Sequence, residues 1–455
     1  MSKIKIFISK FYQFLTLSDL RIFLVFLLIN FIVWRLHFYF PFWDEWEFID
    51  EFNSGHFNFF IPHVEHFKPL FKLFYYLELK YLDERFLYYN YILIFIHSFV
   101  GIVFFKILRN LINSKNIAIL FSLIFLFNPF HGQTIFSNFQ VCSVLNVLFF
   151  LIALLFLQKF LIDKKKINIF ASFFFSFIQT YFFGQGLLLP LVLIVYYLIF
   201  NDKRISYKYI IGYVSVFIVD ILIYIHFALN NSTATTNGLF ITDIYAILKY
   251  FIFAVLINFV KNLALFTVAW PVWILVFVLF SACIFFTYKL KLKDFNKISI
   301  FCFLFYSVTF VLLSVSRFRY SMAQSIAGRY TYYNLLPICI YVAYLTYHLF
   351  NNYKIKTVKL LFVAYFIFYF AYSMVLINTV KIDREKSYIS NYINIVNLAY
   401  NPDFEAYTPD LHPFRTPENV KDVYLKFLNK DLKGDFNFKL MEKLKNEKYY
   451  EKLSK

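Results

Sequence analysis

Charge is scarce in this chain. Asp, Glu, Lys and Arg make up only 16% of its 455 residues, against 61% hydrophobic and 24% aromatic residues, and the mean hydropathy is +0.62. That balance excludes a soluble globular domain and points to a polytopic membrane protein. Cysteine is scarce too. Cys142, Cys283, Cys302 and Cys339 all fall inside apolar runs, with no paired spacing for a disulfide or a zinc site. Internal repeats and low-complexity tracts are absent, which counts against the transporters built from inverted repeats. The first apolar run is too long for a signal-peptide core and lacks a small-residue cleavage site, so it reads as a true span.

What is present is a series of apolar runs able to cross ~30 Å of hydrocarbon. They lie near 21–40, 86–108, 116–128, 139–161, 167–183, 184–200, 209–229, 262–288, 298–316, 330–350 and 357–380, about eleven in all. The runs 116–128 and 184–200 are short. A net charge of +18 would suggest nucleic acid in a soluble protein, but here Lys and Arg collect in alternate loops. Those loops are the N-terminus (Lys3, Lys5, Lys10), Arg109 with Lys115, Lys164 to Lys166, and the segments 203–208, 289–297 and 354–359. Positive loops stay in the cytoplasm, so the excess charge is a topology signal and a nucleic-acid partner loses its support. The segments 41–85, 129–138, 230–243 and 317–329 then face outward.

The stretch 243–261 would break this alternation if it spanned, and reads as an interfacial or re-entrant helix on the outer side. The resulting fold class is an all-α polytopic membrane domain over 1–380. Its long first outer loop (41–86) carries interfacial helices, and a small, mostly helical tail (381–455) lies outside. The N-terminus is then cytoplasmic. The weight of Phe, Tyr, Ile, Lys and Asn fits an AT-rich bacterial genome, which makes the membrane a bacterial inner membrane.

One short stretch runs against the basic character of the chain. "FYFPFWDEWEFIDEF" (38–52) crowds Asp44, Glu45, Glu47, Asp50 and Glu51 among aromatics just past the first run. Trp43 and Trp46 bracket the Asp44–Glu45 pair and would anchor it at headgroup depth. Further along, His63, Glu65 and His66 open an amphipathic stretch with Lys68, Lys72 and Lys80 on its polar side, suited to a helix lying on the membrane. His63, Glu65 and His66 have spacing that a metal could use, and equally one that helix capping after Pro62 explains. Late in the chain, Arg317, Arg319 and Arg329 fall on the outer side against the positive-inside trend. A phosphate at the start of the 330–350 helix gives Arg329 a reason to be there.

Outer carboxylates with cations that hold a phosphate suit one chemistry. A lipid-phosphate sugar lies with its tail in the bilayer, and a carboxylate takes the proton from an acceptor hydroxyl as it attacks the anomeric carbon. The leaving lipid phosphate, with a second pKa near ~6, needs neutralisation more than protonation. Asp220, midway along its run, is costly to bury, and pairing with a neighbouring helix accounts for it.

An Asp-Glu pair in the first outer loop after the first span resembles the C-fold glycosyltransferases, multi-span enzymes that use polyprenyl- or dolichyl-phosphate sugars. "PFWDEWEFI", "PHVEHFK", "NFQ", "GQGLLLP", "AGRYTYYNLL" and, in the tail, "FLNKDLKGDF" also resemble, in order, landmarks of a poorly characterised bacterial membrane family related to that fold. The resemblance implies an inverting transfer from a polyprenyl-phosphate sugar to a glycan, lipid or protein acceptor. Asp44 would be the base with Glu45 as its neighbour, and Arg329, Tyr330, Lys68, Gln140, His63, Glu65 and His66 would contact the donor. Many such enzymes carry a second acid in the next outer loop, tied to metal or donor binding. Here that loop offers only His131 and Gln133, which leaves a divalent metal cofactor open. Where related sequences place Arg after the second His of the loop motif, this chain has Phe67 and Lys68. The competing functions are a lipid-linked polysaccharide polymerase or ligase, whose chemistry would concentrate in a large late outer loop, and a transporter or flippase without covalent chemistry.

Overall fold

In the computed structural model of the chain, the described residues are 17–39, 45–62, 67–82, 85–201, 206–231, 244–264, 294–317, 328–352 and 356–400. They are all-helical. The helices of nine residues or more among them are α1 (Leu17–Trp34), α2 (Glu45–Asn53), α3 (Pro69–Leu82), α4 (Phe86–Ile112), α5 (Lys115–Leu126), α6 (Val141–Asp163), α7 (Lys166–Gln179), α8 (Leu189–Phe200), α9 (Tyr207–Asn231), α10 (Ile244–Ala264), α11 (Phe295–Arg317), α12 (Gly328–Asn352) and α13 (Lys356–Tyr400). Five helical stretches are long and apolar enough to cross a membrane: Leu17–Trp34, Phe86–Ile112, Asn138–Asp163, Tyr207–Phe227 and Phe362–Ile389. A sixth arises if α5 and the helical turns Pro129–Ile135, bent by 44°, count as one span. α7, the 184–200 segment, Ile244–Leu256 and Phe295–Val311 are shorter and equally apolar.

The helices are inside-out relative to a soluble protein. α9 exposes Ile211, Ile218, Leu222 and Ile225 while burying Tyr213 and Asp220; α7 exposes Ile167, Phe170 and Phe174 while burying Ser172, Ser176 and Gln179. Apolar side chains outward and polar ones inward is the arrangement a lipid solvent selects. The chain is therefore a helical protein with several membrane-length helices, as its hydropathy indicates.

Two compact units form. The first comprises Met1–Arg35, Phe59–Leu73 and Asn90–Lys381. In it α1 and α4 run antiparallel: Asp19 near the start of α1 pairs with Lys106 and Arg109 near the end of α4, both at 3.2 Å, and Asn30 donates to the Ser98 hydroxyl (2.9 Å). At Gly101 a Cβ would lie 2.6 Å from a Leu126 methyl, so only glycine lets α4 and α5 approach this closely. α6 and α7 form a hairpin whose turn residue, Lys164, takes the left-handed conformation (φ 56°) that ends many helices. Ser172 donates to the Ala153 carbonyl at 2.7 Å. α9 runs parallel to α7, since Ser172 meets Tyr213 (2.5 Å) and Thr180 meets Asp220 (3.0 Å).

The second unit comprises Leu36–Asn58, Phe74–Tyr89 and Ile382–Lys455. Its described core is aromatic. Phe48 packs on Phe57 and Tyr75, Phe52 on Tyr76, and Tyr39 on Tyr388.

Two expectations change. α1 ends at Trp34 rather than near residue 40: the apolar residues beyond it leave the helix, and the freed His37 N–H donates to Glu385 Oε1 (2.6 Å). The amphipathic helix of the first loop starts at Pro69, not after Pro62, and its lysines divide between the faces, with Lys80 exposed as expected. Lys68 and Lys72 are buried, whereas Leu73, Leu77 and Tyr81 are exposed. Pro69 begins the helix because a first-turn residue needs no N–H partner, and an apolar face turned outward is stable against lipid.

Candidate functional site

Asp44 and the segment His63, Glu65 and His66 lie outside the described residues. What flanks Asp44 is defined. Glu45, the first residue of α2, is fully buried, and its carboxylate accepts the Tyr39 hydroxyl at 2.6 Å. Burial, and after it the Glu45 charge, hold the Tyr39 hydroxyl well above its ordinary pKa, and burial followed by Glu45 does the same for Tyr75. Both phenols therefore stay protonated across the physiological range, and Tyr39 remains a donor. The start of α2 adds free N–H groups and the positive end of the helix dipole. A carboxylate is thus fixed in one position at the residue after Asp44. Tyr39→Phe removes a hydrogen bond to a charged group, worth about 1.5–3 kcal/mol. The expected result is a comparable loss of stability in chemical unfolding and slower turnover, without loss of membrane insertion.

In the first unit, the structure gathers several of the sequence landmarks around Lys68. Its ammonium lies 4.4 Å from the ring centre of Phe139, 5.4 Å from that of Phe71 and 5.7 Å from that of Phe183. Phe139 precedes Gln140, and Phe183 precedes Gly184 and stacks at 6.3 Å with Tyr333 of α12. "PHVEHFK", "NFQ", "GQGLLLP" and "AGRYTYYNLL" therefore contribute neighbouring side chains. Cation–π contacts with the three rings hold the ammonium in place. Gln140 ends a short 3₁₀ turn, Asn138–Gln140, and accepts the Ser143 hydroxyl (3.3 Å). Arg329 and Tyr330 fall in the first turn of α12, where free N–H groups favour an anion; their side chains lie outside the described residues.

The second expected outer loop displays Gln133 but buries most of its other polar residues. Pro129 and the Asn128 side chain, which accepts the Phe130 N–H (3.0 Å), stop α5 and fold the loop inward. His131, Thr134 and Asn138 are buried. The carbonyl of Leu126, which ends α5, takes the Trp34 indole N–H (3.1 Å) and the His97 Nε2–H (3.0 Å). That fixes the tautomer of His97, whose Nδ1 accepts the Tyr332 hydroxyl at 2.7 Å. The His131 ring lies against those of His97 and Tyr332.

Sequence reasoning singled out Asp220 and missed what surrounds it. Thr180 donates to its carboxylate, and Asn146 clamps the end of α7 by donating to the carbonyls of Gln179 (2.6 Å) and Phe183 (3.1 Å). The available signal was the set of amide side chains in apolar runs. Glycine at 186 permits the clamp, because a Cβ there would lie 2.4 Å from Asn146 Nδ2 and 2.9 Å from the Thr180 Cα. Gly186→Ala is expected to lower stability by about 1–3 kcal/mol through overpacking against backbone, read by detergent unfolding.

Among the described residues, no group of three or more His, Cys, Asp or Glu side chains is placed to hold a metal ion. No protein-family model matches the chain, and no curated protein matches it significantly.

Proposed function

We propose that this protein is an inverting membrane glycosyltransferase that moves a sugar from a polyprenyl-phosphate donor to a cell-envelope acceptor on the outer face of a bacterial inner membrane. About eleven spans place the N-terminus in the cytoplasm and the 381–455 tail outside. The observation that carries this reading is the Glu45 carboxylate, buried and fixed by Tyr39 at the start of α2. It fixes a carboxylate at the residue that follows Asp44. Asp44 accepts the proton of the acceptor hydroxyl while that oxygen bonds to the anomeric carbon. The bond from that carbon to the phosphate oxygen breaks, and polyprenyl phosphate leaves with the electron pair. Lys68 and Arg329, with the N–H groups opening α12, neutralise the phosphate.

The test is mass spectrometry of lipids and surface glycans from a deletion strain complemented with wild type or Asp44→Asn. The reading requires that wild type restores a missing sugar, while the variant leaves it missing and a polyprenyl-phosphate sugar accumulates. Equal complementation by Asp44→Asn makes the acidic loop architectural and rejects the assignment.

A further inference from the structure

Between α6, α7 and α9, inside the first unit, several buried oxygen acceptors have no donor among the described residues. Asn146 spends its amide N–H groups on two carbonyls, Gln179 O and Phe183 O. Its orientation is therefore fixed, and its Oδ1 is buried with no donor among the described residues. Gln179 is fully buried, and neither atom of its side-chain amide has a partner there. Asp220 is fully buried as well; Oδ2 accepts from Thr180 and Oδ1 from no described group. The Tyr181 hydroxyl adjoins the same carboxylate. One turn before Gln179, the Ser176 hydroxyl is also buried without a partner among the described residues.

These groups are neighbours. Asn146 holds the Gln179 carbonyl, Thr180 comes next in the chain and holds Asp220, and Gly186 packs against both Asn146 and Thr180. The packing also limits the ligand's size. Where a single methyl at Gly186 would come 2.4 Å from an amide nitrogen, a sugar or headgroup has no room.

Charge and donor type limit its chemistry. One carboxyl in a low-dielectric interior is neutralised by a proton or by one compensating positive charge, and among the described residues no Lys, Arg or His pairs with Asp220. A divalent ion would leave an uncompensated charge of its own. Donors that are all oxygen suit a hard cation. The chain leaves α7 at Gln179 and resumes as a 3₁₀ turn at Gly184, and the negative end of an interrupted membrane helix favours a cation at that place. A polar stripe leads to it: Ser172, Ser176 and Gln179 on α7 face the same interior as Tyr213 and Asp220 on α9, over ~10 Å of helix.

We propose that Asp220, with the amide oxygens of Asn146 and Gln179, binds one sodium ion inside the membrane bundle. The site stands independently of the transferase reading, and glycosyl transfer is not its readout.

The test is equilibrium binding of radiolabelled sodium to the purified full-length protein in nanodiscs, with choline holding ionic strength constant. Saturable binding of one ion per chain is expected. Asp220→Asn keeps an acceptor for Thr180 and removes only the charge, so it is expected to weaken binding about tenfold or more. Gln179→Met removes an amide that has no partner in the fold, so the variant is expected to unfold like wild type and to bind sodium several-fold more weakly. If Asp220→Asn does not fold, Gln179→Met decides. Absence of saturable sodium binding in wild type overturns the proposal, as does unchanged binding in Gln179→Met or in a folded Asp220→Asn. Stability that follows pH in wild type but not in Asp220→Asn, with no sodium binding, assigns the carboxyl to a proton and equally overturns it.

Discussion

Asp44→Asn is expected to lower sugar transfer by about 10²–10⁴-fold, the usual contribution of a positioned general base, while the protein inserts and unfolds as wild type does. Asn is nearly the same size but accepts no proton at physiological pH, so the loss falls on the chemical step. Variants at the next residue make the comparison informative. Glu45→Gln retains an oxygen for the Tyr39 hydroxyl, now bonded at 2.6 Å, and is expected to keep most of the activity. Glu45→Ala removes the charged acceptor of that buried hydroxyl, costing about 1–3 kcal/mol of stability, and lowers turnover by misplacing α2. The measurement is initial-rate transfer from a polyprenyl-phosphate sugar in nanodiscs, with unfolding curves for each variant. A wild-type rate for Asp44→Asn sinks the base assignment. A larger loss for Glu45→Gln than for Asp44→Asn would move the base one residue along the chain.

The helices were legible because hydropathy and helix length report the same solvent. Runs predicted at 86–108, 139–161 and 209–229 correspond to α4, α6 and α9, and the short runs 116–128 and 184–200 are indeed short helices, each ending in a turn fixed by Pro, Asn or Gly. Helix ends read less well. The residues after Trp34 are as apolar as a helix interior, and what draws them out of α1 is packing, with Leu36 and Tyr39 buried. Orientation about the helix axis was the least legible. For α3, a rule that turns lysines outward holds at Lys80 and fails at Lys72, which is buried while Leu77 is exposed. Asn146, Gln179 and Thr180 are unremarkable letters in two separate apolar runs. Only the antiparallel register of α6 on α7, and the parallel register of α9, makes them neighbours of Asp220. The role of Lys68 was legible from its motif, but its cage of Phe71, Phe139 and Phe183 joins segments up to about 115 positions apart.

The second large effect is expected at the opposite end of α1. Asp19 is fully buried, with Oδ2 3.2 Å from Lys106 Nζ and Oδ1 3.2 Å from Arg109 Nη1. Lys159 adds a further positive charge near Lys106. The Lys106 side chain is only 7% exposed, whereas Arg109 is 36% exposed. Asp19→Asn therefore strands one buried ammonium beside like charges, and a loss of about 3–5 kcal/mol is expected. Replacing both partners, Asp19→Leu with Lys106→Met, is expected to recover most of that stability, since a buried pair exchanged for apolar groups of similar size costs little. Arg109 then remains as the positive residue at that end of α4. Unfolding by SDS titration in mixed micelles measures each variant, and the double-mutant cycle isolates the pair. A loss under about 1 kcal/mol for Asp19→Asn would be that of a solvated surface pair and would contradict the burial of both groups. The pair also ties topology to packing. Arg109, one of the charges that read as a cytoplasmic signal, meets Asp19 at one end of the α1–α4 pair.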